Sequence, residues 1–69
     1  SQEREATFGE MEKVIAEKTK AIQGYRNKLN NENYVNKAPA HVVEETRQRL
    51  EEAESDLAAA RQALSALED

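Results

Sequence analysis

The sequence predicts an all-α fold, a two-helix antiparallel coiled-coil hairpin, on three observations. Apolar residues recur at alternating spacings of three and four along each half of the chain. The halves are separated by an asparagine-rich stretch that holds the chain's one proline. Charged residues make up 35% of the composition and aromatics 4%, whereas small-molecule pockets are lined mainly by apolar and aromatic side chains. A rod with one buried seam fits that composition better than a globule with a cavity.

In the first half the series is Phe8, Met11, Ile15, Lys18, Ile22, Tyr25 and Leu29, which predicts a helix over about 3–30 with a single apolar stripe. In the second half Val43, Thr46, Leu50, Ala53, Leu57, Ala60, Leu64 and Leu67 continue the same rhythm and predict a helix over about 39–67. Each arm would run roughly 40 Å at 1.5 Å per residue. Pairing residues whose numbers sum to about 75 sets Ile22 opposite Ala53 and Ile15 opposite Ala60, so small side chains meet large ones and the helices approach closely. Lys18 breaks the first stripe. Its methylenes would cover Leu57 while its ammonium reaches water; the alternative is a functional lysine. Gly9 and Gly24 lie off the seam, where each costs up to about 1 kcal/mol relative to Ala, and the sequence offers no reason for either.

The stretch between the helices reads as a tip loop over about 31–38. Asn30, Asn31 and Asn33 suit a helix end because Asn tolerates the left-handed conformation. Pro39 suits the first turn of the following helix, and Glu44 and Glu45 lie near its positive end. Tyr34 and Val35 are expected to fold back on Leu29, Val42 and Val43 as a small apolar plug.

Sixty-nine residues allow one small domain, a single hairpin spanning 1–69. The chain has no cysteine and no initiator methionine. It therefore reads as a piece excised from a larger protein of a reducing, cytoplasmic compartment. No apolar run approaches the roughly 20 residues of a membrane span, and no signal peptide opens the chain.

The net charge of −4 is distributed unevenly. Residues 1–12 hold one base and four acids, and residues 50–69 hold one base and six acids. Residues 13–49 hold eight bases and four acids. The central surplus calls for an anionic partner. In the hairpin register Glu12 flanks Arg61, an opposite-sign pair, but nearer the tip Arg26 flanks Arg47 and Lys28 lies near Arg49. Like charges at flanking positions oppose folding, by only a few tenths of a kcal/mol when exposed. A phosphate between two such groups would reverse the sign. Arg26, Lys28, Lys37, Arg47 and Arg49 are therefore the principal candidate phosphate contacts, with Lys20 and Lys18 weaker ones. Tyr34 could stack on an unpaired base, although the plug role is favoured. Asn33 would either bond a ribose or phosphate or simply form the turn. His41 stands alone, without the ligand set a metal needs.

The string "KLNNENYVNKAPAHVVEETRQRL", residues 28–50, resembles the tip of the C-terminal coiled-coil, tRNA-binding arm of valyl-tRNA synthetases. The matching positions are Lys28, Leu29, Asn31, Tyr34, Val35, Lys37, Ala38, Pro39, Val42, Val43, Arg47, Arg49 and Leu50. The flanking heptads match only as generic coiled coil. Two positions depart from the pattern: Lys18 replaces an apolar seam residue, and Glu45 stands where a base is common. The resemblance implies an arm that leans on the outer corner of tRNA, where the D and T loops meet. The parent would be an ATP-dependent, class I valine–tRNA ligase, and the tRNA partner would be valine-specific. The fragment itself lacks the HIGH and KMSKS signatures, so it is expected to be non-catalytic and to need no cofactor. The alternative function is protein–protein association without an RNA role, two hairpins pairing as a four-helix bundle through an exposed apolar stripe.

Overall fold

The computed structural model describes residues 2–68, with side chains from residue 7 onward. The fold is all-α. Three helices follow one another: α1, Gln2–Asn30; α2, Glu32–Lys37; and α3, Ala40–Glu68. The molecule measures 52 × 14 × 14 Å, long and thin because each long helix has a single apolar stripe to bury. Every seam position from Phe8 to Leu29 and from Val43 to Leu67 is buried or half-buried. Ile22 and Ala53, each 5% exposed, are the most completely covered. Cross-helix contacts pair rising numbers in the first half of the chain with falling numbers in α3: Lys18 meets Asp56, Arg26 meets Glu54, and past the end of α1 Tyr34 meets Thr46. Within α1 the Thr19 hydroxyl donates to the Ile15 carbonyl at 2.7 Å, so this flanking polar group is satisfied by its own helix.

The segment between the long helices differs from the expected loop, because most of it is the short helix α2. The asparagines do not end α1 in a left-handed conformation; no described residue has a positive φ. Instead Asn31 is extended (φ −86, ψ 109) and caps α2, its side-chain oxygen accepting from the Asn33 amide at 3.0 Å. Asn is among the best N-cap residues because its short side chain satisfies an otherwise orphaned helix amide. The Asn31 amide itself donates to the Lys28 carbonyl at 3.2 Å, which tightens the last turn of α1.

The helix α2 ends where Pro39 forces the residue before it out of the helical region. Ala38 is extended (φ −72, ψ 148), and its amide donates back to the Tyr34 carbonyl. Pro39 precedes the first residue of α3, and its carbonyl accepts from Val42 and Val43 at 3.0 and 3.2 Å. It therefore caps the helix from outside. The first turn of α3 contains no acid; Glu44 and Glu45 fall one turn later, where the helix dipole is weaker.

A chain of hydroxyls pins the tip. Thr46, 7% exposed on the seam, donates to the Val42 carbonyl at 3.0 Å. A threonine hydroxyl has one proton, so the Tyr34 hydroxyl must be the donor in its 2.8 Å bond to Thr46 Oγ1. None of the residues of α2 is buried, which makes this bond a principal hold on the short helix. Among the described residues no large apolar side chain is exposed. Most large apolar side chains of the seam, among them Phe8, Met11, Ile15, Leu50, Leu57 and Leu64, are nevertheless only half-buried, so part of the stripe stays open to water.

Candidate nucleic-acid interface

The basic residues divide into those already neutralised and those left bare. Arg26 does not meet Arg47; its Nη2 lies 3.6 Å from Glu54 Oε2. Side chains lean toward the N-terminus of their own helix. Arg26 therefore leans down the rod, Glu54 leans up toward it, and Arg47 leans away toward the tip. Both partners are about half exposed, at 59% and 47%, so the pair is a weak one. Arg49 likewise turns from Lys28 to Glu45, with Nη2 2.9 Å from Oε1 four residues earlier on the same helix. The Glu45 carboxylate, and after it the Tyr25 hydroxyl, push the Arg49 guanidinium above its ordinary range. Lys18 does not simply reach into water, because its Nζ sits 3.2 Å from Asp56 Oδ2. A shallow groove of about 380 Å³ runs along this side, lined in part by Lys18, Tyr25, Glu45, Arg49 and Asp56. Its acids and bases offset one another, which leaves it poorly suited to an anion.

Lys20, Lys28, Lys37 and Arg47 are exposed and make no ion pair among the described residues. Three of them cluster toward the tip: Lys28 in the last turn of α1, Lys37 in the last turn of α2 and Arg47 in the second turn of α3. Lys20 lies two turns below Lys28. Asn33 is exposed, with its backbone amide used by the Asn31 cap. Tyr34 is half-buried and tied through its hydroxyl to Thr46, an arrangement that suits the plug and leaves the ring little freedom to stack on a base. His41 is exposed at the start of α3.

The pairing of Arg26, Arg49 and Lys18 with acids was not expected from the sequence. Glu45 was legible, since Glu four residues before Arg on a helix is a favourable pair. Glu54 and Asp56 needed the tilt of the side chains, which heptad positions alone do not give.

The hydroxyl chain makes a testable claim. Tyr34→Phe leaves the buried Thr46 oxygen without its donor and is expected to cost about 1 kcal/mol in urea denaturation. In a Thr46→Val background the same change should cost little, because the partner is already gone.

Residues 3–68 match the family described as the valyl tRNA synthetase tRNA binding arm. A valine–tRNA ligase of Prochlorococcus marinus (strain MIT 9313) is 44% identical over 63 residues, which cover 91% of this chain and 7% of the relative. A valine–tRNA ligase of Bacteroides thetaiotaomicron (strain ATCC 29148) is 36% identical over 63 residues, with the same coverage. The chain thus spans about 7% of the length of these curated relatives. No solved structure matches the chain. With almost its whole length matched, the chain belongs to the family of tRNA-binding arms of valyl-tRNA synthetases.

Proposed function

We propose that the chain is the C-terminal, antiparallel coiled-coil arm of a cytoplasmic valine–tRNA ligase and that its tip binds the elbow of tRNA. The observation that carries this reading is the sorting of charge. Three cations without an ion-pair partner among the described residues, Lys28, Lys37 and Arg47, lie toward the tip, with Lys20, Lys13 and Arg61 further down the rod, whereas Arg26, Arg49 and Lys18 lie beside carboxylates. Along the sequence the acids outnumber the bases in residues 1–12 and 50–69 while residues 13–49 carry the surplus of bases, a polarity that favours a polyanion over the middle of the chain. Recognition rests on phosphate position and shape, as is usual for structured RNA. Lys28, Lys37 and Arg47 make the phosphate contacts, with Lys20 further down α1. The arm supports aminoacylation by the parent enzyme by raising the effective concentration of contacts beside tRNA that the enzyme already holds. The arm needs no cofactor of its own; ATP is used elsewhere in the parent.

The test is titration of tRNA with the 69-residue chain over a salt series. Three or four contacts predict a log–log slope of about −2 to −4, at roughly −0.7 to −0.9 per phosphate. Absence of binding at low salt, or a slope near zero, would remove the proposal.

A further inference from the structure

Gly24 lies in the interior of α1, where glycine weakens a helix relative to alanine. Nothing within the molecule requires it. Its φ is not positive, and a Cβ built there would meet nothing within 4 Å. The residue is exposed and off the seam. Its surroundings are distinctive, because Lys20 and Lys28 stand four residues to either side of it. At about 100° per residue, each is displaced by only about 40° around the helix from Gly24, in opposite senses. Both are exposed, and neither has an ion-pair partner among the described residues. The two lysines are separated along the axis by about 12 Å. Between them, where a side chain would rise, the helix backbone is bare.

We propose that this saddle on the outer face of α1 seats one strand of the RNA sugar–phosphate backbone, which crosses over Gly24 while Lys20 and Lys28 each hold a phosphate. The inference rests on the reading of the chain as an RNA-binding arm and extends it from the tip to a second face. Glycine lets a ligand approach the helix backbone closely, and Asn27, exposed one turn along, adds an amide that can bond a ribose or phosphate oxygen. A protein partner fits less well, because the saddle presents no large apolar side chain to bury. Charge selects the occupant: two unpaired cations beside bare backbone suit a polyanion. Glu17, exposed two turns nearer the other end on the same side, closes the patch.

The test separates fold from binding through substitutions that strengthen the helix. Gly24→Ala and Gly24→Gln should each raise the melting temperature, since the site is open. Affinity for tRNA at fixed salt should nevertheless fall, about threefold for Ala and about tenfold for Gln, as the added side chain lifts the strand off the backbone. Gly9→Ala is the control. Gly9 is equally open but lies among the mixed charges of Glu10, Glu12 and Lys13, so its substitution should raise the melting temperature and leave affinity unchanged. Wild-type affinity in Gly24→Gln, with Lys28→Ala still weakened, would overturn the saddle and leave the tip reading standing. Equal losses at Gly9 and Gly24 would overturn it as well. Failure of the wild-type chain to bind tRNA would remove both.

Discussion

Replacing Lys28, Lys37 and Arg47 together by alanine is expected to lower tRNA affinity by about two orders of magnitude at 0.1 M salt and to reduce the log–log salt slope by about 2 to 3. The three come from three different helices, and none is engaged by a carboxylate among the described residues. Each can therefore neutralise a phosphate and release its counterion without first giving up a partner. The comparison that gives the result meaning is Arg26→Ala with Arg49→Ala. That variant removes two cations from the same half of the rod, but both are held by acids, Arg26 by Glu54 and Arg49 by Glu45. Its slope should change by less than 1, because the slope counts cations seated on phosphates and each of these two guanidinium groups already faces a carboxylate. Anisotropy titrations at several salt concentrations measure both quantities. An equal change per residue removed in the two variants would show that carboxylate pairing does not decide which cations count.

Ile22→Ala should remove about 2–4 kcal/mol of stability, as large-to-small changes at buried aliphatic positions do. Ile22 is 5% exposed, among the most covered side chains of the rod, and small residues such as Ala53 and Ala60 fill much of the remaining buried seam. With so few large groups nearby, little can move in to fill the vacated space. A chain of this size has only a few kcal/mol in total, so thermal melts followed by circular dichroism should show the variant largely unfolded at 37 °C. Leu64→Ala, at a half-buried position, provides the contrast and should lose markedly less. A loss below about 1 kcal/mol for Ile22→Ala would mean that the seam does not hold the helices together.

The long helices were legible because burial along one stripe imposes a period, and fifteen seam positions repeat it. The short helix was not. Six residues from Glu32 to Lys37 are too few to display a period, and the asparagine before them serves equally well to stop one helix or start the next. Only the bond from the Asn33 amide to Asn31 separates those roles. The candidate site was legible in its composition but not in its pairing. Heptad positions place Arg47 and Glu54 on the same flank as Arg26, and the backward lean of helical side chains selects the acid. Thr46 was visible as a polar interruption of the seam, but its role as acceptor for Tyr34 depends on the path of the chain through the tip. Gly24 had no account from sequence because its significance lies in what is absent around it.

A body 52 Å long and 14 Å across behaves as a lever. A pivot of about 10° at its acidic end would carry the basic end through roughly 9 Å, the kind of displacement that hinge motions produce. That swing exceeds the reach of a lysine side chain, so under the proposed tRNA-binding reading a rod held steady at the end opposite the tip would present its cations to phosphates more often than a loosely held one. On that reading, a looser hold would weaken capture without altering a single contacting residue.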